Sequence, residues 1–392
     1  MKGESARRLF VVGDVHLTRP SSAEVTRDLA RLLERHPGQR FVFAGDFLDL
    51  ATDAPRTEPR TAIAEVFAAH GPLRRAMAEF LEGGGELSFL GGNHDAALGL
   101  PDAAAVLSQV LGVAGSARAR LSTRPWFVRE GGVHLEHGHM YDPDNAPGHP
   151  LVDGGSGLGA HFSSEFIHPT QAFRFMHRND AMPLELLTTA FRFYGPRAPH
   201  VIARYFHTAF AALAKAGPFY EGAVDRVSGS ERHARYAEDA GVPRNVVDAV
   251  FSVGVPSTLA SWSATFARLY LDRVAATLML AGGLGALAAG HSSRRMGWTA
   301  LGLGSALMVG SWLAGQDRYG GTVVARLAEA AARLVDETGA KLVVFGHAHR
   351  EALGEHYANT GSFTWPSEQA AGRPYLEIVN GERPHALRHR VF

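Results

Sequence analysis

The chain contains no cysteine among its 392 residues. Disulfides, thiolate zinc sites and cysteine nucleophiles are therefore excluded, and any metal must be held by nitrogen and oxygen ligands. It also lacks a charge surplus: Lys plus Arg and Asp plus Glu number 39 each. Without the basic excess of a protein that neutralises phosphates along a strand, no dedicated nucleic-acid binder is expected. A local basic group such as Arg174, His177 and Arg178 reads instead as facing phosphate head groups or solvent. The opening residues, MKGESARRLFVVGD, show no long apolar run before a small-residue cleavage site, so the strands that follow are expected on the cytoplasmic side. Histidine is plentiful at 20, in a chain that is 46% hydrophobic and long enough to bury one large core or two smaller ones.

Short apolar or alternating runs at 8–13, 40–44, 86–90, 132–136 and 341–345 predict strands, each followed by glycine or a polar cluster. Helical patterns lie between them. Residues 21–36 open with a Ser21-to-Glu24 capping-box spacing, 61–82 end on three glycines, and 322–339 close on Gly339. Strands alternating with helices imply an α/β core. The tail, YLEIVNGERPHALRHRV, predicts two strands around an Asn380-Gly381 turn.

Between about 150 and 320 this rhythm stops, which marks an insertion. AFRFM at 172–176 is echoed by AFRFY at 190–194, but one echo does not make a repeat architecture. Two uncharged stretches, 274–290 and 297–315, would form helices roughly 26 and 28 Å long against a hydrocarbon core of about 30 Å. Small residues four apart (Gly282 with Ala286, Gly302 with Ala306, Gly310 with Ala314) would let such helices pack closely. A transmembrane hairpin is the preferred reading, because two consecutive uncharged stretches of threshold length are uncommon in soluble cores. The alternative is a Gly/Ala-rich hairpin buried in a soluble protein or between subunits. Arg294 and Arg295 in the connecting loop, against Arg268, Arg273 and Arg318 at the flanks, give a slight preference for cytosolic flanks. The expected organisation is a catalytic core of 1–150 and 320–392, a helical lid-like insertion of 151–273, and an anchoring hairpin of 274–315.

The five strand ends carry the chemistry. They read Gly13-Asp14-Val15-His16, Gly45-Asp46-Phe47-Leu48-Asp49, Gly91-Gly92-Asn93-His94-Asp95, His137-Gly138-His139 and Gly346-His347-Ala348-His349. In an open α/β sheet ligands gather outside the carboxyl ends of strands, so these five clusters are expected to converge. The ordered set resembles the calcineurin-like metallophosphoesterase superfamily, whose pattern is D-x-H, G-D-x-x-D, G-N-H-D or G-N-H-E, an isolated H, and G-H-x-H. The match covers roughly 1–150 and 320–392. The resemblance implies a four-layer α/β/β/α sandwich, here with a helical insertion, and two divalent ions at the sheet edge. Asp14, His16, Asp46 and His349 would hold one ion; Asp46, Asn93, His137 and His347 would hold the other, with Asp46 bridging. Mixed nitrogen and oxygen ligation fits Mn, Fe or Zn better than Mg alone. His94 resembles the family's general acid, with Asp95 placed to orient its ring. Asp49 reads as an orienting residue or helix cap rather than a ligand. His139 either touches the substrate phosphate or hydrogen-bonds nearby backbone, and Asp142 and Asp144 belong to a turn around Pro143.

Two divalent cations about 3.5–4 Å apart polarise a phosphoryl group and lower the pKa of a water that attacks it in line. The implied activity is thus metal-dependent hydrolysis of a phosphoester or pyrophosphate. After the last motif, HREALGEHYANTGSFTW resembles the bacterial branch that includes UDP-2,3-diacylglucosamine hydrolase, which acts at the membrane surface. Those enzymes usually carry Arg where this chain has His94, and their insertion is much shorter. A membrane-associated enzyme with a lipid-linked substrate is expected. The alternatives are a tethered phosphatase or nucleotide phosphodiesterase with a soluble substrate, and a metal-binding scaffold that has lost catalysis. The intact His94 and complete ligand set argue against the scaffold.

Overall fold

The computed structural model describes residues 8–53, 57–152, 157–172, 190–290, 293–315, 322–366 and 371–392. Most of the AFRFM segment, the Arg174, His177 and Arg178 group, and Arg318 lie outside the described residues. The chain divides into two compact units, one of Met1–Ser164, Glu221–Ser257 and Val323–Phe392, the other of Glu165–Tyr220 and Thr258–Thr322. The expected 151–273 boundary therefore gives way at 221–257. The helices His233–Ala240 and Arg244–Val253 place Tyr236, Ala237, Val247, Val250 and Val253 in one apolar cluster with Val343 and Phe345 of a core strand.

The first unit is mixed α/β with two mixed sheets. Its strands are β1 (Leu9–Val12), β2 (Arg40–Phe43), β3 (Glu86–Leu90), β4 (Leu121–Arg124), β5 (Phe127–Glu130), β6 (Val133–Glu136), β7 (Leu342–Phe345), β8 (Ala352–Leu353), β9 (Tyr357–Asn359), β10 (Arg373–Val379) and β11 (His385–Val391). One sheet has the order β11-β10-β1-β2-β3-β4 and the other β5-β6-β7-β9-β8. All five strands expected from the sequence are present, and all are buried throughout but for the first residues of β2 and β3.

Burial on both faces follows from alternation along each strand. Leu9, Val11, Val42 and Ala44 join Val133, Leu135, Leu342 and Val344 in a cluster that draws on both sheets. The intervening Phe10, Val12, Phe41 and Phe43 join a second cluster with Leu29, Leu33, Met77 and Leu81 of the helices Ala23–Arg35 and Gly71–Glu82. Fully burying one such side chain contributes about 1.5–3 kcal/mol. Strands β1, β2 and β3 run parallel with Val12 opposite Phe43 and Phe43 opposite Phe89, while β6, β7 and β9 run parallel in the other sheet. Parallel, in-register strands bring their carboxyl ends, and the motifs that follow them, to a common level.

Local differences from the expected elements have local causes. The N-cap of the first helix is Ser22, whose side chain accepts from Glu24 N; Ser21 Oγ instead accepts from Thr18 N at 2.8 Å. The 61–82 pattern is two helices, Pro59–Ala69 and Gly71–Glu82, because Gly71-Pro72 interrupts the ladder and suits a helix start. The tail strands pair from Val379 with His385, so five residues, 380–384, make the connection rather than a two-residue turn.

The second unit is helical. Tyr205 on the Ala198–Ala214 helix donates to Leu269 O at 2.9 Å and packs edge-on against Phe166. The helices Leu271–Ala288 and Arg294–Leu313 pack on each other through Gly283, Gly297 and Gly304. A Cβ on Gly283 would lie 2.9 Å from Gly297 O, and one on Gly304 would lie 3.1 Å from Ala276 O. The seam thus runs through buried Ala276 and Gly283 on one helix and Gly297, Gly304 and Ser311 on the other, each set spaced by seven. This corrects the four-apart pairs: Gly282, Gly302 and Gly310 face open space. Sevenfold spacing keeps small residues on one stripe where a helix pair crosses at a shallow angle. Among the described residues only Leu271–Ala288 is long and apolar enough to cross a membrane, and 22% of it is buried. In Arg294–Leu313 the glycines, serines and tryptophans dilute the apolar character.

Candidate metal centre

Each carboxyl end turns sharply into its motif. Among the described residues, seven non-glycines have positive φ, and five of them are Asp14, His16, Asp46, His347 and His349. Such backbone costs roughly 1–3 kcal/mol per residue, and the surrounding structure must impose it. Here the imposed bonds are visible: His16 N donates to Asp46 O at 2.8 Å, Ser362 Oγ to Asp14 O at 3.1 Å, and His347 N to Asp14 Oδ2 at 3.0 Å. Glycines make the room. A Cβ on Gly45, whose φ is +83°, would lie 2.5 Å from His137, and one on Gly92 would lie 2.1 Å from Asp46 Oδ1.

The side chains form two groups. In the first, His349 Nε2 stands 3.1 Å from both Asp14 Oδ1 and His16 Nε2. In the second, His137 Nε2 lies 3.1 Å from Asp46 Oδ2 and 3.0 Å from Asn93 Oδ1. Asp46 Oδ2 is also 3.7 Å from His16 Nε2, so this carboxylate lies between the two groups. His347 belongs to the second by position, although its Nε2 is 3.0 Å from Asp142 Oδ2. Asp14, Asp46 and His137 are at most 1% exposed.

The donor set fits a cation. His137 Nδ1 donates to Ala44 O at 2.9 Å, so the neutral ring aims its Nε2 lone pair at two further oxygens. Only a proton or a cation at that point removes the repulsion. Burial opposes a proton on His137, but Asp46 outweighs it and pushes the pKa up to about 9. Asp14 shows the converse: burial raises it, while His349 and His16 hold it well below the usual carboxylate range. In the first group two imidazoles meet nitrogen to nitrogen beside a carboxylate, and His16 Nδ1 has no hydrogen-bond partner. These buried His/Asp clusters could hold a metal ion.

His94 and its neighbours are arranged differently from the expectation. His94 Nδ1 donates to Asp49 Oδ1 at 2.7 Å, while Asp49 Oδ2 lies 3.6 Å from His16 Nδ1. Asp49 is thus the orienting residue; it caps no helix, and accepts from Thr52 N across the turn that follows it. Asp95 does not orient the ring: its carboxylate accepts from the backbone N–H groups of Asp46, Leu48 and Gly92. Adjacent residues in this turn point apart, which frees Asp95 to bind the loops together. Burial and Asp46 push its pKa up to about 7, against the pull of the Leu48 and Gly92 N–H groups. Burial lowers the pKa of His94, but Asp49 and Asp46 outweigh it and raise the pKa above the usual imidazole value.

His139 is buried, with its ring centroid 5.4 Å from that of His137 and with no partner for Nδ1. Burial, His137 and His347 drive its pKa well below the ordinary value, so it stands as a neutral neighbour. Three residues were missed from the sequence. Asp142 and Asn145 reach His347 and Asn93 from the Pro143 turn. Trp365 packs its ring 4.9 Å from that of His16 while remaining 55% exposed. Turn residues and a single aromatic carry no periodic signal, so only the strand-end position of YDPDN hinted at the first two.

The chain matches no family model, and no curated protein matches it.

Proposed function

We propose that the chain is a metal-dependent phosphoesterase that hydrolyses a phosphoester or pyrophosphate bond, and that its first unit is the four-layer sandwich of the calcineurin-like superfamily. The observation that supports this most is the place of Asp46, with one carboxylate oxygen facing both His137 at 3.1 Å and His16 at 3.7 Å. A carboxylate so placed is suited to bridge two cations. Asp14, His16, Asp46 and His349 would hold one divalent ion, and Asp46, Asn93, His137 and His347 the other; Mn, Fe or Zn suits the set. The ions would supply Lewis acidity toward the phosphoryl oxygens and lower the pKa of a water.

The protein's own groups do the rest. His94, held through Nδ1 by Asp49, keeps Nε2 as the atom that passes a proton to the departing oxygen. Against its burial, Asp49 and Asp46 favour the protonated ring. Asp95 ties the loops bearing Asp46 and Asn93 to each other, so the ligands keep their spacing. Trp365 offers an aromatic face beside His16 and His349 against which a leaving group can pack.

The second unit supports a membrane setting and a lipid-linked substrate. Its hairpin exposes Leu278, Leu284, Trp298, Leu303, Trp312 and Leu313, each more than half exposed. Such a surface is stable in contact with acyl chains and costly in water. The catalytic unit would then work at the cytoplasmic face.

Detergent-purified protein tested with Mn²⁺ and bis-p-nitrophenyl phosphate decides the main point. Hydrolysis by the wild type that vanishes in Asp46→Asn supports the proposal. Bound metal without turnover of this or any lipid-linked phosphoester would leave the scaffold reading in its place.

A further inference from the structure

Beside the second ligand group, one oxygen of Asp142 collects two side-chain donors. Oδ2 accepts from Asn145 Nδ2 at 2.6 Å and from His347 Nε2 at 3.0 Å. Asn145 Oδ1 accepts from Asn93 Nδ2 at 3.3 Å, and Asn93 Oδ1 faces His137 Nε2 at 3.0 Å. The carboxylate itself is fixed in place. It is 2% exposed, its Oδ1 accepts from Asp144 N, and its carbonyl accepts from Asn145 N at 2.9 Å and Ala146 N at 2.7 Å. Proline at 143 favours this tight turn, which lays side chains 142 and 145 side by side.

A carboxylate accepts and does not donate, and that single property propagates through the network. Asn145 must present Nδ2 to Asp142, so its Oδ1 turns to Asn93. Asn93 must then present its own Nδ2, which leaves its Oδ1 facing His137. The same Asp142 oxygen takes the Nε2–H of His347, so Nδ1 is the lone-pair atom that ring retains. Without this chain either amide could flip by 180° and aim an N–H at the ligand group, and His347 could keep its proton on the other nitrogen.

We propose that Asp142 and Asn145 are positioning residues that set the direction of the Asn93 amide and the tautomer of His347, and so define the second cation position. The proposal rests on the metal-centre reading above. It adds two residues that would act through their contacts with Asn93 and His347.

The test is Mn²⁺ binding to the full-length protein, read as metal content after equilibrium dialysis and as the electron paramagnetic resonance spectrum. Wild type is expected to hold two ions per chain with a spin-coupled spectrum. In Asn145→Ala and in the near-isosteric Asp142→Asn, affinity for the second ion should fall about 10- to 100-fold, as it does when an outer partner of a ligand is lost. At metal concentrations that only just fill the wild-type second site, both should fall from two ions toward one and gain the six-line spectrum of isolated Mn²⁺. Thermal melting close to wild type separates this from unfolding, and Asp142→Asn carries the test should Asn145→Ala not fold. Two ions, wild-type affinity and a coupled spectrum in a folded variant would overturn the positioning role and leave the metal centre standing. A wild type that binds no Mn²⁺, Fe²⁺ or Zn²⁺ would overturn both, and that arm alone reports it.

Discussion

The imidazole of His94 donates through Nδ1 to Asp49 Oδ1 at 2.7 Å, and the same carboxylate approaches His16 Nδ1 at 3.6 Å through its other oxygen. One aspartate therefore hydrogen-bonds the proposed acid and stands within ion-pair distance of one proposed metal ligand. Replacing Asp49 by Asn keeps the shape but removes the charge that raises the His94 pKa. Asp49→Asn and His94→Ala should both slow cleavage of alkyl phosphodiesters by about 10²- to 10⁴-fold, the usual worth of a positioned acid. Cleavage of p-nitrophenyl esters, whose leaving group needs little protonation, should fall far less. Equal losses on both substrates would remove His94 from the acid's role.

Asp95 has a structural task and should reveal it in stability. Its carboxylate satisfies three buried N–H groups, those of Asp46, Leu48 and Gly92. Asp95→Ala leaves them without partners, and each unsatisfied buried donor costs about 1–3 kcal/mol. We expect a loss of at least about 2 kcal/mol in urea unfolding, since the three share one carboxylate and their costs do not add. A variant as stable as wild type would mean that water replaces the carboxylate.

How much of this was legible in the sequence depends on what kind of signal each part carries. The strands were legible because burial on both faces writes continuous apolar runs such as Phe10–Val12 and Val343–Phe345. Convergence of the ligand residues followed from parallel strands, since the register that sets Val12 opposite Phe43 and Phe43 opposite Phe89 carries the motifs after β1, β2 and β3 to one end of their sheet. Which neighbour a side chain meets was not legible. Asp95 adjoins His94 in the chain whereas Asp49 lies 45 residues away, yet it is Asp49 that the fold brings to the ring while Asp95 turns to the backbone N–H groups. The return of 221–257 to the core was hidden for a similar reason: an amphipathic helix shows that it has a buried face, not which surface covers it.

The hairpin seam distinguishes two adjacent glycines. Gly283 abuts Gly297 O and Leu301, whereas Gly282 meets nothing. Gly283→Val should therefore force the helices apart, while Gly282→Val should be tolerated. Protease resistance of the hairpin in detergent should fall only in the first, and identical digestion patterns would refute the packing. If the hairpin is the membrane anchor, deleting 274–315 should leave hydrolysis of small soluble esters and abolish that of lipid-presented ones. Undiminished turnover of the lipid substrate would remove the hairpin from function.

A last prediction concerns acid stability. Leu151 N donates to His149 Nδ1 at 3.1 Å, so neutral His149 carries its proton on Nε2 and gives it to His233 Nε2 at 2.9 Å. His233 in turn donates from Nδ1 to Asp248 Oδ1 at 2.6 Å. Every nitrogen has its role, and no position remains for another proton on His149. Burial, then His233, Arg226 and Arg232, push its pKa down to about 3. The unfolded chain, with an ordinary histidine pKa of about 6.5, binds that proton readily. Between pH 6.5 and 3 the unfolded state holds more protons, so the stabilisation is complete above about 6.5 and is lost progressively as the pH falls toward 3. The slope from this residue reaches about 1.4 kcal/mol per pH unit. His149→Asn removes the titrating group, so the variant should be less stable than wild type at pH 7 yet lose less between pH 6.5 and 4.5. Urea unfolding midpoints of both proteins across that range measure the difference, which cancels the titration of all other groups. Parallel curves would show that His149 keeps an ordinary pKa in the folded protein and that the hydrogen-bonded chain through His233 does not form.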